Sequence, residues 1–291
     1  MTKKEFEELA SSGVILVDGA TGSNFRKAGM PVGVSTELWA LEHPDVVRTL
    51  QNGYIEAGSQ IIYAPTFSAN RIGLEMHGLT DRLEEINTEI VKLSKNIAAG
   101  RAYVAGDMTT TGRMLEPAGD ISYEELLEIY KEQASVLVNA GVDLIVAETM
   151  LSVDETTVLL DAVQSVCDLP VICSLTLEAD GRALYGGNAV EAVETLQAMG
   201  AACVGLNCSV GPNQLEAVVR SMKEVAEVPI LAKPNAGMPV MDKMGFAHYD
   251  VTPEQFAAAM KKLVEAGAGV VGGCCGTTPE YIRALAEVLG R

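Results

Sequence analysis

Basic residues are scarce in this 291-residue chain. It sets 21 Lys and Arg against 39 Asp and Glu, for a formal net charge of −18 and a pI near 4.5. A surface of that sign repels phosphates, which argues against nucleic acid and against anionic membranes. Its plain consequence is solubility; a basic partner protein is the sharper reading. Long apolar runs are also missing, so nothing marks a membrane span of about 18 residues or more. Met1 to Ala10 is charged, unlike a signal peptide, and reads as an amphipathic opening helix. These absences point to the cytoplasm. The three histidines, His43, His77 and His248, stand singly without metal-ligand spacing and read as surface residues. A dinucleotide loop is lacking too: Asp18-Gly19-Ala20-Thr21-Gly22-Ser23 has glycines, but not at the G-x-G-x-x-G spacing.

What is present is cysteine in an unusual arrangement. Of six, Cys167, Cys173 and Cys203 read as small hydrophobes. Cys208 closes the apolar run before Ser209, and Cys274-Cys275 lies between Gly273 and Gly276 after another apolar run. In a reducing compartment these thiols stay free, and adjacent Cys274 and Cys275 would form only a strained ring with each other. Three thiolates converging from two strand ends make a zinc site with its fourth position open to a substrate thiol. Cys203, five residues before Cys208, is expected on the opposite face of a regular strand.

Apolar, β-branched runs recur along the whole chain, each following a segment with helical period. They are Ile15-Asp18, Gln60-Thr66, Ala102-Asp107, Asp143-Glu148, Pro170-Thr176, Ala202-Cys208, Pro229-Asn235 and Gly269-Cys274. Tyr123-Ala140 has an acidic first turn, and Thr252 and Thr278 are expected N-caps for helices starting at Pro253 and Pro279. Gly141, Gly200 and Gly267 read as helix stops. This count is that of an α/β chain folded as a (β/α)8 TIM barrel, one domain over residues 1–291, rather than a doubly wound sheet. The long connections Thr21-Pro44 and Ala236-Val251 both follow strands and would form a lid or rim on the catalytic face. Trp39, in the first of them, is expected to pack the barrel mouth.

In a barrel all strand ends face one mouth. The groups expected there are Asp18 and Thr21, Thr66, Asp107, Glu148, Thr176, Asn207 and Cys208, Asn235, and Cys274 with Cys275. Both cysteines can reach one ion only if the chain turns there, which Gly273 and Gly276 permit. Glu148 has no basic neighbour in sequence. As a buried carboxylate it needs either a substrate ammonium or an internal pair. Asp18 reads either as functional or as a brace for the first loop.

Four strings carry a family resemblance: Asp18-Gly-Ala-Thr-Gly22, Gly205-Leu-Asn-Cys-Ser209, Pro234-Asn-Ala-Gly237 and Gly272-Gly-Cys-Cys-Gly-Thr-Thr-Pro279. Together and in this order they resemble the homocysteine S-methyltransferase family, in the form of the homocysteine-binding module of cobalamin-dependent methionine synthase. The resemblance covers essentially the whole chain. It implies a barrel holding Zn²⁺ on Cys208, Cys274 and Cys275. It implies that Glu148 and the loop Asp18, Gly19, Ala20, Thr21 grip the amino-acid end of homocysteine, and that Asn235 fills the fourth zinc position when substrate is absent. The implied activity is zinc-dependent methylation of homocysteine to methionine. The sequence shows no folate, cobalamin or reactivation module. The expected donor is therefore a methyl-corrinoid, such as methylcobalamin, carried by a partner protein. Relatives that use S-methylmethionine more often carry Arg at the position of Gly276, and a betaine donor would favour an aromatic cage, against an aromatic content of 5% with one Trp. Two rivals stand beside this reading: a metal-independent barrel for a phosphorylated metabolite, and a non-catalytic subunit presenting a thiol to a corrinoid complex.

Overall fold

Aliphatic and β-branched runs settle as parallel strands when both faces of the sheet are covered. The computed structural model describes residues 1–241 and 247–291. Its strands in chain order are β1 Ile15–Leu16, β2 Ile61–Ala64, β3 Tyr103–Thr109, β4 Leu144–Met150, β5 Val171–Leu175, β6 Cys203–Cys208, β7 Ile230–Pro234, β8 Val240–Met241, β9 Ala247–His248 and β10 Ala268–Val271. All but β8 and β9 form one parallel sheet in the order β1-β10-β7-β6-β5-β4-β3-β2. A parallel bridge between Val17 and Ile61 and the bond from Gln60 N to Leu16 O, 2.8 Å, join its two ends. The result is a (β/α)8 barrel, as the strand count predicts.

A helix follows each barrel strand: Pro44–Glu56, Leu83–Ala98, Tyr123–Ala140, Val153–Val166, Ala189–Ala198, Glu216–Val225, Pro253–Glu265 and Pro279–Val288. Thr252 caps its helix and closes a capping box with Gln255. Thr278 does not cap; its hydroxyl instead donates to Glu280 two residues on. Gly141, Gly200 and Gly267 take positive φ where their helices stop. Among the described residues no helix is long and apolar enough to cross a membrane.

The two long connections both gain structure. The first holds helices Gly22–Lys27 and Thr36–Glu42. There Trp39 packs against Phe25 and stacks on His43, in a satellite cluster with Met30, Val47 and Ile97. The second carries the antiparallel hairpin of β8 and β9. The expected rim over Ala236-Val251 falls partly on residues 242–246, which lie outside the described residues.

Side chains alternate across each strand, so the sheet has two apolar faces. The outer face packs on the helices in the large core cluster. The inner face fills the barrel with Ile15, Val17, Ile61, Ala105, Leu144, Val146, Ile172, Cys203, Leu231 and Val270. Phe6 belongs to this inner cluster and is fully buried. It comes from the opening helix Lys3–Ser11, whose capping box joins Thr2 and Glu5. That helix therefore closes the end of the barrel opposite the strand C-termini. Phe6→Ala should cost about 3–5 kcal/mol of stability, the usual loss for a buried Phe. Urea unfolding would measure it.

Candidate active site

The strand ends converge on a cavity of about 350 Å³ lined by the Asp18 to Ser23 loop, Tyr63, Phe67, Asp107, Glu148, Thr149, Lys233 and the cysteines Cys208, Cys274 and Cys275. Asp18, Gly19, Ala20, Thr21 and Glu148 thus share one cavity with the three thiols, while Asn235 lies beside it rather than on its wall.

The three sulfurs all lie within 4.8 Å of one another, with Cys208 and Cys275 Sγ 4.0 Å apart. Thiolates on one zinc, each bonded at ~2.3 Å in a tetrahedron, sit on the order of 4 Å apart, so this spacing suits the ion. Local backbone conformation produces the convergence. Cys208 and Ser209 have φ of +60° and +58°, so β6 ends in a left-handed turn. The turn carries the Cys208 sulfur to those of Cys274 and Cys275. β10 ends at Val271, and Cys274 and Cys275 sit in the turn beyond it, closed by Thr277 Oγ1 donating to Cys274 O at 2.7 Å. Gly276 has φ +85°, as expected of that turn. Gly273 serves differently: a side chain there would collide with Thr277.

The thiols are electrostatically unequal. Hydrogen bonds from Cys274 and Cys275 pull Cys208 down to about 3, while those same bonds and burial push Cys274 and Cys275 up. Thiols this close resist ionising together, and a cation among them would relieve that resistance. The surroundings suit such a cation. Asn207 Nδ2 lies 3.8 Å from Cys274 Sγ as a donor. Asn235 donates through Nδ2 to Ser209 O at 3.1 Å, and its buried Oδ1 has no partner among the described residues. An orphaned amide oxygen on a side chain whose Nδ2 is tied to the turn that carries Cys208 is a fitting neighbour for a metal.

The substrate loop is tied to the cysteine turn. Gly273 N donates to Asp18 O at 3.1 Å, Ala20 N to Thr277 Oγ1 at 3.1 Å, and Gly276 N to Ser23 Oγ at 3.1 Å. The Ala20 N–H is thereby engaged, whereas the N–H groups of Gly19 and Thr21 have no partner among the described residues.

Glu148 does have an internal partner. Lys233 Nζ, on β7, lies 2.8 Å from Glu148 Oε1 and 3.7 Å from Asp18 Oδ1, over the Tyr63 ring. Asp18 Oδ2 also accepts from Tyr63 N at 2.7 Å, bracing β1 against β2. Burial would lower Lys233, but Glu148 and Asp18 more than reverse that and hold it as an ammonium. Burial pushes Asp18 up to about 7 against the pull of Lys233, and it raises Glu148 likewise. A lysine inside the apolar run Ile230-Leu231-Ala232-Lys233-Pro234 was the available sequence signal, because a buried ammonium requires a carboxylate.

Two further groups shape the site: Asn207, which the sequence places at the mouth, and Tyr249, which it does not single out. Asn207 accepts from Thr149 N at 2.9 Å and Ser174 Oγ at 2.9 Å, and donates to Thr149 Oγ1 at 2.7 Å. It thereby holds Thr149 at φ +59°. Tyr249 packs over Gly276, where any Cβ would strike its ring, and its phenol is raised by burial and by Cys275 beside it. Lys233→Met would strand the buried carboxylates, a loss of about 3–5 kcal/mol typical of a broken buried pair. Urea unfolding should show that loss, with part of it recovered when Glu148→Gln is added.

Residues 15–289 match the homocysteine S-methyltransferase family. The chain is 28% identical over 302 residues to methionine synthase of Mycobacterium leprae and 29% identical over 300 residues to that of Mycobacterium tuberculosis, covering 98% and 97% of this chain. It spans about a quarter of the length of these relatives, 25% in each case. The metallated homocysteine methyltransferase MmuM from Escherichia coli has the same fold, with a TM-score of 0.79 at 21% identity, over 97% of this chain and 98% of that one. With a family match that runs from β1 to the last helix and takes in the cysteine turn, the chain belongs to the homocysteine S-methyltransferase family.

Proposed function

We propose that this barrel binds homocysteine through a zinc ion held by Cys208, Cys274 and Cys275 and transfers a methyl group to its sulfur, forming methionine. The observation that carries the reading is the convergence of three cysteine sulfurs within 4.8 Å at the floor of a cavity lined by charged groups. Zinc, when bound, supplies the Lewis acidity that keeps a substrate thiol deprotonated near neutral pH. The chain's own residues do the rest. Gly19 and Thr21, which line the cavity and whose N–H groups have no partner among the described residues, would receive the substrate carboxylate. Asp18 and Glu148, set in place by Tyr63 N and Lys233, supply negative charge for its ammonium. Holding both ends of the amino acid aims the sulfur in one direction, which is what an in-line methyl transfer requires. Tyr249 covers the cysteine turn at Gly276 and limits water there. Asn235 stands at the turn bearing Cys208, suited to lend its free Oδ1 while substrate is away.

The donor we infer is a methyl-corrinoid on a separate protein or module. Exposed apolar side chains cluster in loops that follow strand ends: Val32 and Val34 after β1, Met114 after β3, Leu184 and Tyr185 after β5, Met238 and Val240 after β7. Exposed apolar side chains in several loops on the strand-end side support a macromolecular donor over a small soluble one. Trp39 is packed away in its own cluster, which leaves Tyr63 and Phe67 as the aromatic lining and weakens the case for a betaine cage.

Protein purified under reducing conditions should carry about one zinc per chain, as three thiolate ligands imply. Cys208→Ala should lose it, measured by metal analysis, together with methyl transfer from free methylcobalamin to homocysteine. A zinc-free Cys208→Ala protein with full transfer activity would overturn the proposal. Transfer to homocysteine without any partner would exclude a purely thiol-presenting role.

A further inference from the structure

We infer that Asn207 is a positioning residue for the thiol cluster: its amide donates a hydrogen bond to the Cys274 sulfur and supports that sulfur as a metal ligand. This rests on the reading of the cluster as a zinc site. Of the three cysteines, Cys208 and Cys275 are half-buried and Cys274 is buried. A half-buried thiolate takes hydrogen bonds from water, whereas a buried one must take them from the protein. Asn207, itself only 1% exposed, sets its Nδ2 3.8 Å from Cys274 Sγ.

The surrounding bonds fix which way this amide points. Thr149 N can only donate, and it lies 2.9 Å from Asn207 Oδ1. Ser174 Oγ donates to the same oxygen at 2.9 Å. Nδ2 is therefore the atom turned toward Thr149 Oγ1, 2.7 Å away, and toward Cys274. Its two hydrogens meet two acceptors, one hydroxyl and one sulfur. The mounting is firm. Asn207 lies on β6, which pairs on both sides, with β5 and β7. Thr149 keeps a φ of +59°, a conformation rare for a β-branched residue and held only where the surroundings demand it. That turn presents the N–H and the hydroxyl that orient the amide. A metal-bound sulfur carries negative charge, and a hydrogen bond to a charged group is shorter and stronger than one to a neutral group. The donor thus contributes more with the metal bound than without it, and the difference adds to metal affinity.

The test separates the bond to sulfur from the hold on Thr149. Thr149→Gly takes a positive φ without help and keeps the amide. The full chain carrying it should bind zinc as wild type does, measured under reducing conditions by competition with a chromophoric chelator. Adding Asn207→Leu removes the donor and fills its space. Zinc affinity should then fall about 10-fold or more, the usual loss when a metal ligand is deprived of its supporting hydrogen bond. With cobalt(II) as the probe metal, the sulfur-to-metal charge-transfer band should move to lower energy in the double variant, because the sulfur regains electron density. Unchanged zinc affinity and an unmoved band in the double variant would overturn the inference. So would an equal loss of zinc in Thr149→Gly alone, which would assign the effect to the turn instead of the sulfur. If the leucine prevents folding, Asn207→Ala in the same background reads the same two quantities. Failure of that variant to fold as well would overturn the inference, because Asn207 would then serve the fold and not the sulfur. No zinc binding by wild type would overturn the zinc reading itself.

Discussion

Closure of the parallel ring is the constraint on which the site depends. Val17 meets Ile61 and Val271, so β1 is held between β2 and β10, and every strand delivers its C-terminal end to one mouth. β7 alone separates β6 from β10, which brings Cys208 to within 4.0 Å of Cys275 across 67 residues of chain. The same closure sets the Asp18 loop beside the cysteine turn, where Thr277 and Ser23 bond across the two. An open sheet would leave β1 and β2 as distant edges and separate these groups.

Within that mouth the electrostatics divide into two poles. At one pole three sulfurs crowd together and resist ionising together. At the other, three buried carboxylates surround a single lysine. Both poles are electron-rich, and each is short of positive charge. The chain as a whole carries a formal net charge of −18, so relief does not come from a basic surface nearby. A metal at the first pole and an ammonium at the second would supply complementary charge, which is the arrangement the proposed reaction calls for.

The barrel was legible because fully buried strands repeat as uninterrupted apolar runs between amphipathic helices, and eight such units leave little alternative. The thiols were legible for a similar reason: cysteines at strand ends between glycines have no packing role to explain them. Other features were hidden. Glu148 lacks a basic neighbour in sequence, and its partner Lys233 is 85 residues further on. Strand alternation does not foresee the left-handed turn at Cys208, where φ is +60°. Thr278 looks like a cap, yet its hydroxyl finds Glu280 first.

Local patterns by themselves determined the element order, the barrel class and the identity of the three converging thiols, because periodicity and turn chemistry act over a few residues. Which carboxylate is neutralised, which backbone N–H is already engaged, and which amide oxygen remains orphaned were decided by tertiary structure alone. Those outcomes depend on contacts between strands far apart in the chain, and burial makes each such contact, or its absence, energetically decisive.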